Sequence, residues 1–289
     1  MTGASGLVGG HVAAAAAADP RIDVVASARS RPAGLAPAIA FAAADLSDAD
    51  DAARLVREVC PTHVIHAAWE TRHPTYYEDI ANLDWVASAA RMAAAFDEVG
   101  GRRFVQIGSC AEYCSSGIGP ITHPATRYGR AKLAAFAAIE AAAHGAFEAV
   151  EARIFWVFGP GENPARLIPL ICRGHLAGEV PVLGSGSHLR DLLYAPDAAA
   201  ALLALARADG MTGVVDIGSG KAVALASVAA TLASLARASD TGLGRRPDRP
   251  GDPPSLVANA TRLRATGWTP AATLDDALAR TLAWWAGKA

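Results

Sequence analysis

Thr2-Gly3-Ala4-Ser5-Gly6-Leu7-Val8-Gly9 sets three glycines at a spacing of three, and residues 11–18 behind them are almost pure alanine until Asp19-Pro20 stops the run. Glycines followed by the strongest helix former describe a tight turn that opens a helix. Such a turn lets the backbone approach a pyrophosphate while the helix aims its amide dipoles at the charge. In a βαβ unit a strand delivers the chain into the turn, and no strand precedes Thr2 here. That strand would lie at the centre of a sheet, buried on both faces. The expectation is that the natural chain carries several β-branched residues ahead of Thr2 and that Met1 is not its start. A glycine triplet alone also fits a flexible terminal turn, so the remainder of the chain has to decide.

Working outward, short apolar runs alternate with helical stretches through the first half. Residues 22–27, 38–44, 63–67, 103–108 and 149–158 read as strands, and 48–59, 76–96 and 125–144 as helices. This alternation predicts a parallel sheet covered by helices on both faces. After Gly159-Pro160-Gly161 the pattern loosens into loops with isolated arginines, with further helices over 196–207, 225–236 and 274–285. The second part reads as a smaller cap over a ligand. The Pro-rich stretch 246–254 is too short to separate domains.

With 289 residues, 52% hydrophobic and 19% charged, the chain can bury a large core. A net charge of -2 leaves no basic footprint for nucleic acid. No apolar run is long enough to span a membrane, and the first residues lack the basic segment of a signal peptide, so a cytoplasmic enzyme is expected. Cys60, Cys110, Cys114 and Cys172 have no paired metal spacing, and no His/Cys/Asp cluster suggests a metal site.

Tyr128-Gly129-Arg130-Ala131-Lys132 places a phenol and an ammonium four residues apart, on one face of a predicted helix. To work near neutrality the phenol needs its pKa lowered by roughly three units, about 4 kcal/mol. A neighbouring ammonium and a bound cofactor's charge are the expected cause. By itself such a pair is common on solvated helices. Ser109, however, ends the run Phe104-Val105-Gln106-Ile107-Gly108, and ligands of open parallel sheets sit at such carboxyl ends.

The glycine turn, Ser109, Tyr128 and Lys132, in that order, resemble the extended short-chain dehydrogenase/reductase family, in particular its nucleotide-sugar epimerases, dehydratases and ketoreductases. The resemblance covers essentially the whole chain. It extends through Asp45-Leu46, His63-Val64-Ile65-His66-Ala67-Ala68, Ser109-Cys110-Ala111-Glu112-Tyr113 and the strand from Arg153 to the Gly-Pro-Gly turn. In the tail it takes in Arg190-Asp191-Leu192-Leu193-Tyr194, Arg249-Pro250-Gly251-Asp252 and Gly267-Trp268-Thr269-Pro270. It implies a Rossmann-type doubly wound sheet over 1–158 and a smaller C-terminal α/β substrate domain over 159–289, with segments near 189–208 returning to the core.

The same resemblance implies that Gly3, Ser5, Gly6, Leu7, Val8, Gly9, Asp45, Leu46, Ala67, Ala68 and Phe155 contact the cofactor. Tyr128 would give or take the proton, Lys132 would lower its pKa and hold the nicotinamide ribose, and Ser109 would bond the reacting oxygen. Cys110, Trp156, Arg190, Arg249 and Asp252 would face the substrate, the two arginines toward a nucleoside diphosphate. Trp156 replaces the family's usual asparagine and reads equally well as a platform for a deoxysugar or the nicotinamide, or as core filler. Relatives pair through the helix carrying the tyrosine, so a homodimer is expected.

An NAD enzyme usually carries an acidic residue at the end of its second strand, whereas this strand runs into Ser27-Ala28-Arg29-Ser30-Arg31. Arg29, with Arg31 as a second candidate, suits a 2'-phosphate, so NADP(H) is favoured over NAD(H). The family's 4,6-dehydratases follow the serine position with an acid and a base. Cys110 and Ala111 stand there, and Glu112, if the strand continues, points to the other face. The leading expectation is an NADP(H)-dependent reductase of a nucleotide-linked 4-keto-6-deoxy sugar. A 4-epimerase uses the same residues and is the near alternative. A non-catalytic NADP-binding regulator and an acyclic-ketone reductase are the others.

Overall fold

The computed structural model describes residues 1–72, 75–113 and 124–288. The glycine turn opens α1 (Leu7–Ala17), whose N-cap Gly6 supplies no side-chain cap and whose first turn has no acidic residue. The chain then alternates through β1 (Val25–Ala28), β2 (Ala40–Ala43), α2 (Ala49–Val59), β3 (His63–His66), α3 (Asn82–Glu98), β4 (Arg103–Ser109), α4 (Arg127–Ala143) and β5 (Glu148–Ile154). Helix starts follow local chemistry: Asp48 caps α2 by accepting from the amides of Asp50 and Asp51, and Thr126 caps α4 by accepting from Gly129. The expected helix over 76–96 divides into a short 3-10 turn, Thr75–Tyr77, and α3.

All pairings in the main sheet are parallel: β2 on β1, and β3, β4, β5 and β9 (Gly213–Ile217) in that order. Between β1 and β3 stand Met1 and Thr2. The Thr2 amide donates to Ile65 O at 3.0 Å, the Ser27 amide donates to Met1 O at 2.9 Å, and Ala4 N donates to Ser27 O at 3.1 Å. Thr2 bridges Ser27 on one side and His66 on the other. A cavity of about 600 Å3 lies beside them between β1 and β3, lined by Val25, Ser27, Ile65 and residues of α1 and α2.

Odd and even positions of β4 and β5 divide the core as strand periodicity requires. Phe104 and Ala149 face α2, α3 and α4. Val105, Ile107, Val150 and Ala152 face α1 and α6 (Ala195–Ala206). The sheet therefore draws α6 and β9 from the second half of the chain.

The expected strand over 149–158 breaks in two. β5 ends at Ile154, the Phe155 amide donates to Ile217 O, the Trp156 amide donates to Asp191 O, and β6 (Trp156–Phe158) pairs instead with β8 (Leu192–Tyr194). This step carries the chain from the large sheet into a second lobe. There β7 (Leu189–Arg190) lies between β10 (Val223–Ala224) and β11 (Ser255–Leu256). A separate core joins α5 (Leu167–Leu176), α7 (Leu225–Leu235) and α9 (Leu274–Ala286), while α8 (Thr261–Arg264) packs on β9. No helix among the described residues is long and apolar enough to cross a membrane.

Candidate active site

A cavity of about 1060 Å3 opens at the carboxyl ends of the strands, between the two lobes. Ser5, Gly6, Leu7, Val8 and Gly9 form one wall. The turn is drawn tight: a Cβ on Gly9 would lie 2.0 Å from Gly3 O, and one on Gly3, whose φ is +70°, would lie 2.7 Å from the backbone of Ala67 and Ala68. Only glycine fits at either place. With no side-chain cap at Gly6 and no carboxylate in its first turn, α1 presents bare amides. That cradle suits the pyrophosphate of a dinucleotide.

Ala67 lines the cavity, whereas the Ala68 amide is held by Thr2 Oγ1 at 3.3 Å. Asp45 and Leu46 stand away from it. Asp45 accepts from the amide and hydroxyl of Ser47, and Leu46 is buried in the core. Arg29 is exposed at the end of β1, while Arg31 donates to the carbonyls of Ala36, Pro37 and Ile39 and so pins its own loop.

Ser109, Tyr128 and Lys132 meet at the centre. β4 delivers Ser109, and the first turns of α4 deliver the other two. Ser109 Oγ accepts from the Ala111 amide at 3.1 Å. Burial pushes the Tyr128 phenol above its ordinary value, with the Ser109 hydroxyl opposing this only in part. The expected lowering of Tyr128 is therefore not present in the protein alone.

Lys132 is 2% exposed, and burial takes its ammonium down to about 7. Nζ donates to Ile107 O at 2.8 Å and lies 3.8 Å from the centre of the Trp69 ring. Tyr76 packs edge-on against Tyr128 at 5.0 Å, with Tyr77 beside it at 6.1 Å. His66, fully buried and pushed down to about 3, is a neutral neighbour bonded to Thr2 Oγ1 at 2.8 Å. Burial raises the Cys110 thiol to about 12, so it is no nucleophile.

On the opposite wall Phe155, Trp156, Arg249 and Asp252 line the cavity. Arg190 does not. It is 2% exposed behind Trp156, whose ring centre is 4.6 Å from its guanidinium, and it donates to the carbonyls of Leu189 and Pro253. The cation expected at a diphosphate thus braces Trp156 and the 249–253 loop. Arg166, not anticipated, lines the same wall and faces Tyr76 and Tyr77. Glu162, 9% exposed, sits 4.0 Å from it with one carboxyl oxygen unpartnered, and burial raises its pKa to about 8.

Extending the strand misplaces Glu112. The chain curls at Cys110 into a 3-10 turn, and Glu112 closes a capping box on Ser109. The Ser-x-x-Glu spacing was the available signal. Glu112 Oε1 accepts from the Ser109 amide at 2.6 Å and Oε2 from Arg153 Nε at 2.7 Å, with Glu112 itself fully buried. Cys114 lies outside the described residues. No group of three His, Cys, Asp or Glu among the described residues is placed to hold a metal.

A family model for the NAD dependent epimerase/dehydratase family matches residues 1–218. Low-salt glycan biosynthesis protein Agl12 of Haloferax volcanii is 31% identical over 122 residues, 42% of this chain and 39% of the relative. dTDP-glucose 4,6-dehydratase of Neisseria gonorrhoeae is 30% identical over 142 residues, 44% and 41%. The matches thus span about two fifths of these curated relatives. Among solved structures, UDP-glucose 4-epimerase of Thermus thermophilus in complex with NAD superposes with a TM-score of 0.87 at 21% identity, covering 100% of this chain and 98% of the other. MoeE5 in complex with UDP-glucose and NAD gives 0.85 at 26%, covering 99% and 98%. The first of these likenesses speaks to the fold. The family model, the glycine cradle and the meeting of Ser109, Tyr128 and Lys132 agree, and the chain belongs to the NAD-dependent epimerase/dehydratase family of extended short-chain dehydrogenases/reductases.

Proposed function

We propose that the protein carries out oxidation or reduction at C4 of a nucleotide-linked sugar, and that its reaction is reduction of a 4-keto-6-deoxy sugar with NADP(H). The observation that carries this reading is the convergence of Ser109, Tyr128 and Lys132 beside the bare α1 turn in one cavity. A bound nicotinamide supplies the hydride. Ser109 and Tyr128 place two hydroxyls where negative charge builds on the sugar oxygen, and Tyr128 gives up its proton there. Lys132 holds the nicotinamide ribose and, as an ammonium, favours the phenolate. Gly3, Gly6 and Gly9, with the amides of Ser5, Leu7 and Val8, hold the pyrophosphate. Ala67 and Phe155 flank the cofactor, and Arg29 pairs with a 2'-phosphate, the support for NADP(H).

Elimination across C5 and C6 is disfavoured, because Cys110 and Ala111 occupy the acid and base positions and Glu112 is turned behind Ser109. On the substrate side Trp156, Arg249 and Asp252 remain in place, and Arg166 takes the role first given to Arg190. A homodimer through α3 and α4 is part of the same proposal, supported by Ile80 and Leu83, 64% and 53% exposed where α3 begins.

A 4-epimerase is the second reading, favoured by the structural neighbours that carry that name. Mixing the protein with NADPH and a 4-keto-6-deoxy nucleotide sugar separates the two. Stoichiometric loss of NADPH is expected, whereas interconversion of two sugars without net cofactor turnover overturns the reductase in favour of the epimerase.

A further inference from the structure

Lys132, 2% exposed, forms no ion pair among the described residues. Its Nζ donates to Ile107 O at 2.8 Å and lies over the face of Trp69, 3.8 Å from the ring centre. The Tyr128 ring is farther off, its centre 5.8 Å from Nζ. An ammonium taken out of water has to be partnered, and the face of an indole attracts a cation through its quadrupole.

Trp69 stands three residues after β3 and is fixed from several sides. Its Nε1 donates to Asn82 Oδ1 at 2.8 Å, its ring stacks on Trp85 of α3 at 5.8 Å, and Tyr128 meets it edge-on at 6.1 Å. Asn82, 3% exposed, is itself clamped: its amide donates to the carbonyls of Tyr76 at 2.7 Å and Asp79 at 2.9 Å. The indole also lines the cavity. One ring, oriented by the first residue of α3, thus packs against both Lys132 and Tyr128.

A ring in this place differs chemically from an acid. A carboxylate would pair with the ammonium and offset the positive charge that favours a phenolate at Tyr128. An indole face holds the cation and brings no negative charge. Of the three N–H groups of the ammonium, one is taken by Ile107 O and one side is turned to the ring, which leaves a donor for a ligand in the cavity.

We propose that Trp69 is a positioning residue whose indole face seats the Lys132 ammonium at the cavity wall, before and after a nicotinamide cofactor binds. The cation is thereby presented to the ribose and to Tyr128 without a counter-ion. The inference rests on the Ser-Tyr-Lys reading of the site, but its first readout is taken on the cofactor-free protein.

The chain has three lysines, Lys132, Lys221 and Lys288, of which the last two are exposed. Protons above an indole face are shielded. In the whole protein grown with 13C-lysine, the ε-protons of Lys132 should therefore resonate upfield of those of Lys221. They should also show an NOE to the Trp69 ring, with and without NADPH. Trp69→Leu keeps an apolar side chain and removes the face. The Lys132 signal should then lose its upfield displacement while Lys221 and Lys288 stay in place, and NADPH should bind ~3- to 10-fold more weakly in a titration. Trp69→Phe restores a face without the bond to Asn82, so it should keep the upfield signal and bind NADPH within ~2-fold of the wild type. An unmoved Lys132 signal in Trp69→Leu, a Trp69→Phe protein that behaves as Trp69→Leu, or an NOE lost when NADPH binds overturns the proposal. The wild-type NOE carries the test if Trp69→Leu does not fold. Failure of the wild type to bind either NADPH or NADH would instead count against the proposed function and leave the cofactor-free lysine signal readable.

Discussion

Two places along the carboxyl edge of the same sheet treat their polar groups in opposite ways. At the head of α1 the amides are left without a cap or an acidic neighbour and open into the cavity. Behind Ser109 the Glu112 side chain is turned inward and satisfied by the Ser109 amide and Arg153, out of reach of solvent. Groups left unsatisfied at a cavity wall are available to a ligand, whereas groups satisfied against one another fix geometry. Arg166 and Arg190 repeat the contrast in the second lobe. Arg166 reaches the cavity, and Arg190 braces Trp156 from behind.

The contrast is broken most severely at the reacting group. Tyr128→Phe keeps the ring against Tyr76 and removes the proton, so turnover should fall ~10^2- to 10^4-fold. Cofactor binding by thermal shift should survive. Next in size is Gly9→Ala, whose methyl would stand 2.0 Å from Gly3 O. It should remove the cofactor-dependent rise in melting temperature and cost ~1–3 kcal/mol of stability.

Glu162→Gln sharpens the comparison on the opposite wall. The unfolded carboxyl releases its proton near 4.5 and the folded one near 8. The folded state therefore binds more protons between those values, and stability falls as pH rises through the window. The amide removes this loss: melts at pH 5 should match the wild type, and melts at pH 8.5 should show the variant more stable by ~1–3 kcal/mol.

Arg29→Ala should weaken NADPH binding ~10-fold and leave NADH unchanged in a titration. The smallest effect is expected at Ser27. Its Oγ is buried without a partner, and the residue lines the cavity between β1 and β3. Ser27→Val, which removes the buried unpartnered hydroxyl, should stabilise the protein by ~1 kcal/mol in urea unfolding.

The first lobe was legible because its signals are local. The alanine run of α1 and the alternation of apolar strands each act over a few residues. The Ser-Tyr-Lys set was legible for the same reason, since parallel strands end at one edge and a helical spacing of four puts two side chains on one face. What escaped depends mostly on partners distant in sequence. Glu112 is the local exception: read as strand, it loses the cap that its position three residues after Ser109 completes. Whether Arg190 or Arg166 meets the cavity depends on which of them Trp156 covers. The break at Phe155 is set by carbonyls at Ile217 and Asp191, far along the chain. The direction of the Tyr128 shift follows from burial, which spacing does not report.

The proposed reaction is tested most directly by following a label. The protein is incubated with NADPH carrying two deuterium atoms at C4 of the nicotinamide and with a 4-keto-6-deoxy nucleotide sugar, and the product is read by mass and proton NMR. One deuterium at C4 of the sugar, present with the wild type and reduced in rate ~10^2- to 10^4-fold with Tyr128→Phe, is the expected result. Label at another carbon, or a sugar product without label, would contradict hydride delivery to C4 at this site.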